Sequence, residues 1–371
     1  MKIAIDARFY GVENGGLGRY TMNVITELSN LKSEHDFILL LSPKYAGHLS
    51  LPDNFKQVEV AARHYSLLEQ ITVPFILYKE QVDLVHFLHF NAPLLYRKRY
   101  LVTIHDLLMH QGVGMAATTR SPFVYAIKRL MYRVVFDNAV QTAKHIFVPT
   151  QVVKDELTHV YTGTAKKVSV IYEGIDTNLI KQNKKTFLTQ NKIKAPYFLY
   201  VGNAYPHKNL SSLIEALIQV NTEAKATLVI VTPKNIFAKR LQKTIELLDA
   251  KQFVTVLTNV SDDSLSQLYS SAHAFVFPSL SEGFGLPGLE SMAIGTPVLA
   301  SDIPVFHEVY GKAAEYFNPN SIESLSGALK KSLIMSQSVR SKKTEAGIKH
   351  AATYSWHLMV KTLNVKYNAF K

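Results

Sequence analysis

Two glutamates stand eight positions apart in the segment SEGFGLPGLESMAIGTP (residues 281–297), Glu282 and Glu290, with three glycines and a proline between them. Paired carboxylates serve as acid and base, as clamps on sugar or ribose hydroxyls, or as solvated surface. The context favours the clamp. The apolar run AFVFPS ahead of them reads as a strand, and the tight loop through Gly283, Phe284 and Gly285 leads to Pro287, a residue favoured at the first position of a helix. Gly295 marks the C-terminal cap, so the pattern predicts a short helix over about 287–294 with Glu290 in its first turn. The amides of Gly285 and Leu286 then lie at its open end, where N–H groups and the helix dipole suit a phosphate while Glu290 accepts from hydroxyls. A nucleotide diphosphate matches that set of donors and acceptors.

Two other loops have phosphate-facing character. In FYGVENGGLGRY, Gly15, Gly16 and Gly18 precede a helical pattern expected from about Arg19. A nicotinamide fingerprint fails here, because the third glycine position is Thr21 and the second apolar run ends at LLLSPK without a ribose-binding acid. In YVGNAYPHKN a strand ends at Gly202, and Lys208 stands just before the next helical pattern, placed to hold a diphosphate as a point charge. No metal site is expected. Asp262 and Asp263 open a helical pattern where carboxylates favour the N-terminus, and the fourteen histidines show no metal-binding spacing such as H-E-x-x-H. His86 and His89 in HFLHF are expected to line a cleft or to be buried.

The elements that must hold these loops follow an α/β pattern. Strand-length apolar runs alternate with longer segments of helical period, which predicts parallel sheets covered by helices. KIAIDA, DFILLLS, VDLVHFL, YLVTIHD, HIFVPT and VSVIYEG supply one series, and YFLYVGN, ATLVIVT, FVTVLT, AFVFPS and TPVLAS a second. With 371 residues the chain is too long for one core. Two doubly wound domains in tandem are expected, with a ligand in the cleft between them. The polar, lysine-rich stretch 175–196 reads as the linker, giving domains over 1–178 and 179–353. The last segment, 354–371, has apolar residues at Trp356, Met359, Val360, Leu363 and Tyr367, the spacing of a closing helix.

Composition narrows the function classes. There is no cysteine, which excludes thiolate chemistry and disulfides and fits a reducing compartment. The start, MKIAIDARFYG, leaves no room for the apolar stretch of a signal peptide, and no run of about 18 uncharged apolar residues predicts a membrane span. A cytoplasmic location, at the inner face of the membrane, is expected. The net charge is +12, of which residues 1–180 hold nineteen Lys and Arg against sixteen Asp and Glu, so most of the excess lies in the second half. Such a balance suits an anionic partner. Residues 107–136 contain no acid but include Arg120, Lys128, Arg129 and Arg133 among Phe123, Tyr125, Tyr132 and Phe136, and LYRKRY lies at 95–100. This is the pattern of a basic amphipathic face for anionic lipid, and equally of a helix carrying its cations around a core stripe.

Glu282-G-F-G-L-P-G-L-Glu290 resembles the E-x7-E motif of the retaining glycosyltransferases of family 4. The resemblance extends over nearly the whole chain in order: the glycine loop, TIHD, VPTQVVKDEL, VIYEGID, VGNAYPHKNL, the E-x7-E segment with MAIGTPVLAS, and a final SW helix. It implies a GT-B fold of two Rossmann-like domains facing across a cleft, with the last helix, 354–371, returning to the first domain. It also implies transfer of a sugar from a nucleotide diphosphate sugar, GDP-mannose or a UDP-sugar, to a hydroxyl of a glycan or lipid-linked acceptor, with no cofactor and no metal. By this resemblance Gly16 lends its N–H to the donor β-phosphate, His105 lies against the transferred sugar, and Lys208 holds the diphosphate. Glu282 touches sugar hydroxyls, Glu290 binds the ribose, and the amides from Gly283 and Phe284 to Gly285 and Leu286 run near the phosphates. The base lies near Asn259 and Val260. Relatives carry an arginine where this chain has Asn203; His207, or an arginine such as Arg8 or Arg19, is the expected substitute. A sugar-nucleotide epimerase on the same fold is the rival enzyme reading. A basic nucleic-acid-binding protein is the non-enzymatic one, though no nucleic-acid motif accompanies the charge.

Overall fold

A computed structural model describes residues 1–108, 122–175 and 186–371, with the side chains of 122–125 outside the description. The chain divides into two compact units, Met1–Gly174 together with Trp356–Lys371, and Ile175–Ser355.

The first unit is built on seven parallel strands: β1 (Lys2–Asp6), β2 (Asp36–Leu41), β3 (Phe55–Glu59), β4 (Leu84–Phe87), β5 (Tyr100–Thr103), β6 (His145–Val148) and β7 (Val168–Val170). Their spatial order is β3-β2-β1-β4-β5-β6-β7. Ala4 of β1 stands between Ile38 of β2 and Val85 of β4. The central strands are covered by helices on both faces, so they read as unbroken apolar runs. The order reverses between β1 and β4, and the crevice outside the carboxyl ends there is where such sheets bind ligands.

The second unit repeats the plan with β8 (Tyr197–Val201), β9 (Thr227–Val231), β10 (Val254–Leu257), β11 (Ala274–Phe277), β12 (Val298–Ser301) and β13 (Ala314–Phe317), in the order β10-β9-β8-β11-β12-β13. Its reversal falls between β8 and β11. Sequence patterning missed two strands, β3 (FKQVE) and β13 (AEYF). Both are edge strands with one ladder partner each. An edge strand buries less of its surface, and the apolar signal weakens with it.

The closing helix, Trp356–Asn368, belongs to the first unit and packs on helix Gly15–Asn30. Its buried residues are Trp356, Met359, Val360, Leu363 and Tyr367, those whose spacing predicted it. Tyr367 is tied to the sheet through His86, whose Nδ1 lies 2.6 Å from the Tyr367 hydroxyl and whose Nε2 lies 2.9 Å from Thr103 Oγ1. Burial lowers the His86 pKa to about 3, so this histidine is a neutral structural link. Residues 176–185 of the expected linker lie outside the described residues, and Thr186–Gln190 after them is a short helix. Among the described residues no helix is long and apolar enough to cross a membrane.

Candidate active site

In the second unit the reversal of strand order gathers the glutamates and the lysine. Lys208 follows β8 in the turn Pro206–Lys208, and Glu282 follows β11; their side chains form an ion pair, and both are largely buried. Ser279 Oγ donates to Glu282 Oε1 at 2.7 Å, and Lys208 Nζ lies 5.5 Å from the centre of the Phe277 ring. A lysine with one carboxylate partner, beside a helix N-terminus, is a point charge suited to an anionic ligand.

The loop after Glu282 runs into the helix Leu286–Ile294. Gly285 caps it with φ 104°, a conformation that only glycine adopts without strain. Gly283, Phe284 and Gly285 are buried, and Tyr310 donates to the Gly285 carbonyl at 2.5 Å. The amides of Gly285 and Leu286 therefore head the helix, as expected. The helix begins one residue earlier than predicted, so Pro287 is its second residue and Glu290 its fifth, just beyond the first turn. Glu290 is buried, and the Tyr269 hydroxyl donates to its Oε2 at 3.2 Å. Gly295 closes the helix as predicted, with its N–H on Met292 O at 3.0 Å.

Asn259, exposed with φ 58°, and half-buried Val260 follow β10 at the same end of the sheet. The neighbouring aspartates open a helix, as expected. Ser261 caps helix Asp262–Ser271 by accepting from Ser264 N, and Asp262 and Asp263 occupy the first turn, where they face the dipole without being the cap.

Two of the substitutes expected for the missing arginine, His207 and Arg8, are not free cations. His207 is buried, and burial followed by the charge of Lys208 lowers its pKa to about 4, so the imidazole is neutral. The Asn203 side chain accepts from Asn235 Nδ2 at 3.2 Å. Arg8 is committed within the first unit. Its Nε donates to Asp6 Oδ1 at 2.7 Å and its Nη2 to Asp6 Oδ2 and Glu69 Oε1, each at 2.6 Å. Burial opposes ionisation of Asp6 and Glu69, but the Arg8 guanidinium and further hydrogen bonds outweigh it and hold both carboxyls below the usual range. An arginine buried to 3% exposure between two carboxylates is not free to swing to a phosphate. Arg19 is half-buried in the first helix.

In the first unit, His105 follows β5 and is bonded on both sides. Its Nε2 lies 2.9 Å from the Leu88 carbonyl and its Nδ1 3.2 Å from Glu173 Oε1. The carbonyl only accepts, so Nε2 carries a proton. Burial pulls the His105 pKa down, yet the hydrogen bond and charge of Glu173, the Leu88 carbonyl and Asp106 together raise it above the ordinary value. Tyr20 meets the ring edge at 4.6 Å, and His89 stacks 6.4 Å away. Gly16 is not in a loop ahead of the helix, as the pattern suggested. Gly15, Gly16 and Gly18 lie in the opening of the helix Gly15–Asn30, and Gly18 approaches the Gly11 carbonyl too closely for any side chain. Gly16 remains at the open N-terminal end, exposed, with nothing but its chain neighbours and the helix's own backbone within 4 Å of where a Cβ would stand.

Residues 14–179 match the sequence profile described as Glycosyltransferase Family 4, and residues 182–350 that of Glycosyl transferases group 1. The chain belongs to glycosyltransferase family 4. It is 37% identical over 245 residues to the O-antigen chain mannosyltransferase RfbU of Salmonella typhimurium, covering 65% of this chain and 62% of that one. It is 33% identical over 162 residues to the O-antigen chain mannosyltransferase B of Escherichia coli, covering 43% and 42%. The matched region thus spans less than two thirds of the length of these curated relatives. The fold is GT-B. The structure of Anabaena HepE in complex with UDP and glucose superposes with TM-score 0.75 at 17% identity, over the full length of both chains.

Sequence reading of this family 4 chain missed the residues that support the motif side chains. Glu173 lies in VIYEGID, a segment noticed for its resemblance, yet nothing near it in sequence announces a partner 68 residues away. Tyr310 and Tyr269 lie in helices, and their hydroxyls bond the Gly285 carbonyl and Glu290. A tyrosine on a buried helical face needs a partner for its hydroxyl, and that was the available signal.

Proposed function

We propose that the chain transfers a mannosyl residue from a nucleotide diphosphate sugar to a hydroxyl of a lipid-linked or cell-surface glycan, with retention at the anomeric carbon and without a metal ion. The observation that carries this reading is the grouping at the ends of β8 and β11. There Lys208, from the turn after β8, pairs with Glu282, and Glu282, the amides of Gly285 and Leu286, and Glu290 follow one another in the loop and helix after β11. The two O-antigen mannosyltransferase relatives favour mannose, hence GDP-mannose as the donor to test first. The UDP held by the structural neighbour keeps a UDP-sugar as the rival.

In this reading Lys208 and the loop amides stabilise the negative charge that grows on the departing diphosphate, the preorganised kind of stabilisation that is usually the largest catalytic contribution. Glu282 accepts from donor sugar hydroxyls and Glu290 from the ribose, with Asn203, His207, Asn259 and Val260 as neutral neighbours of phosphate and base. Gly16 offers its N–H to the β-phosphate. The acceptor attacks the face the diphosphate leaves, and a phosphate oxygen takes its proton. His105 lies against the transferred sugar in this reading, and its bonds to the Leu88 carbonyl and Glu173 hold the ring in place to position it.

A thermal-shift panel of GDP, UDP and ADP with their sugars tests the donor assignment, since a ligand at about 100 times its Kd adds roughly 2.7 kcal/mol. GDP-mannose is expected to stabilise most, and transfer to a lipid-linked glycan is expected to release GDP. Turnover without nucleotide release would point to the epimerase reading. No stabilisation by any nucleotide would overturn the proposal.

A further inference from the structure

Helix Leu67–Lys79 of the first unit wears its apolar residues on the outside. Leu67, Leu68, Ile71, Phe75 and Tyr78 are between 40% and 78% exposed. At 3.6 residues per turn these five fall within an arc of about 100°. The opposite side buries Glu69, Val73 and Leu77 against the domain. Leu95, 55% exposed, extends the surface from the neighbouring loop, which is fastened to the helix by Leu94 N on Gln70 Oε1 at 2.7 Å and Arg97 N on the Tyr78 hydroxyl at 3.1 Å. A contiguous row of this kind marks an interaction surface on a folded protein.

The charge around the row indicates what covers it. Lys79, Arg97, Lys98 and Arg99 are exposed beside it, with Lys98 Nζ 5.6 Å from the Tyr78 ring. In residues 63–79 and 93–100 the one carboxylate is Glu69, buried and bonded to Arg8. The basic helix anticipated at 107–136 adds to the same character in part. Arg120 lies outside the described residues, as do the side chains of Phe123 and Tyr125, and Tyr132 and Phe136 pack on Phe90. Lys128 and Arg133 are exposed with Leu130 and Val134.

We propose that the face formed by helix Leu67–Lys79 and the 94–99 loop docks on an anionic lipid bilayer, the apolar row entering the headgroup boundary and the cations meeting lipid phosphates. It deepens the reading of a lipid-linked acceptor and rests on that reading for its purpose. Docking itself needs neither donor nor acceptor, so the two fail separately.

The test is co-sedimentation of the full chain with vesicles of phosphatidylcholine, with and without about a third phosphatidylglycerol. Binding is expected only with the anionic lipid and is expected to weaken as salt rises. Ile71→Ser with Phe75→Ser removes two exposed side chains, leaves the melting temperature unchanged, and lowers vesicle binding by about tenfold or more. Lys98→Gln with Arg97→Gln weakens binding at low salt and removes much of the salt dependence. Failure of the wild-type chain to bind anionic vesicles would overturn the proposal, and so would equal binding by the Ile71/Phe75 variant. A dimer of the wild-type chain in sedimentation velocity that the Ile71/Phe75 variant breaks, with vesicle binding unchanged, would assign the face to a second copy instead.

Discussion

The two sheets share a strand order through their first six strands but hold charge differently at their carboxyl ends. In the first unit the groups behind β1 and β5 are enclosed by two acceptors of their own domain: Arg8 by Asp6 and Glu69, His105 by Glu173 and the Leu88 carbonyl. In the second, Lys208 has one carboxylate, Glu282, beside a helix N-terminus whose leading amides are capped by a glycine with no side-chain bond. A doubly enclosed cation is fixed in place and costly to disturb. A singly paired lysine can exchange its partner for a phosphate at much lower cost. The same fold thus supplies a rigid wall in one unit and an exchangeable anion site in the other.

Arg8→Met should test the contrast most severely, since it strands two buried carboxylates. Removing one partner of a buried ion pair costs about 3–5 kcal/mol, and urea denaturation should show a loss of that order or outright failure to fold. A loss below about 1 kcal/mol would mean that the network is solvated and that the first unit is no more rigid than the second.

Lys208→Met should cost less in stability, about 1–3 kcal/mol for the hydrogen bond left unmade at Glu282, yet remove the thermal stabilisation by nucleotide. Adding Glu282→Gln should recover part of the stability and none of the nucleotide response. Glu290→Ala should likewise abolish the response, because it removes the ribose acceptor. A full nucleotide shift in the Lys208 variant would place the anion site elsewhere.

The His105 pair gives a graded test. Its folded pKa lies above the ordinary value, so its contribution to stability is complete below the unfolded pKa and is lost as pH rises through the folded one. Histidine NMR titration, with the His105 signal assigned by its loss in His105→Gln, should show a midpoint above that of an unfolded histidine. Glu173→Gln should lower the midpoint, since the carboxylate is the largest of the influences raising it. An unmoved midpoint would show that Glu173 packs against the ring without setting its proton. His86, nearby, runs the other way. Its pKa is depressed to about 3, so the stability it supports falls as pH drops from about 6.5 towards 3, by roughly 4–5 kcal/mol in the limit.

The same contrast explains what could be read in advance. The fold announced itself through buried central strands such as DFILLL and AFVF, whose apolar runs need no context, and through the closing helix, whose spacing matched its buried face. The loop around Glu282 and Glu290 was also legible, because glycine and proline encode backbone geometry locally. What stayed hidden was pairing across distance. Arg8 looked available for a diphosphate because Glu69 stands 61 residues away, and His207 looked like a spare cation because burial cannot be read from YPHKN. The exposed row on LLEQITVPFILYK was hidden for a related reason. An apolar stretch predicts burial, and only the surrounding packing shows which side of it is left outside.

Gly16→Ala should give the smallest change in stability and isolates the ligand from the fold. Apart from its chain neighbours and the helix's own backbone, no described atom lies within 4 Å of the position its Cβ would take, and the residue already lies in a helix. Glycine to alanine in a helix is favourable by up to about 1 kcal/mol, less at an end, so the melting temperature should hold or rise slightly. Gly18→Ala, by contrast, would drive a methyl into the Gly11 carbonyl and should destabilise the first unit. If Gly16 contacts the donor phosphate through its N–H, the added methyl has only the donor to collide with. Transfer should then fall while stability does not. Undiminished transfer by Gly16→Ala would remove the first unit from phosphate binding and leave the diphosphate to Lys208 and the Gly285 and Leu286 amides alone.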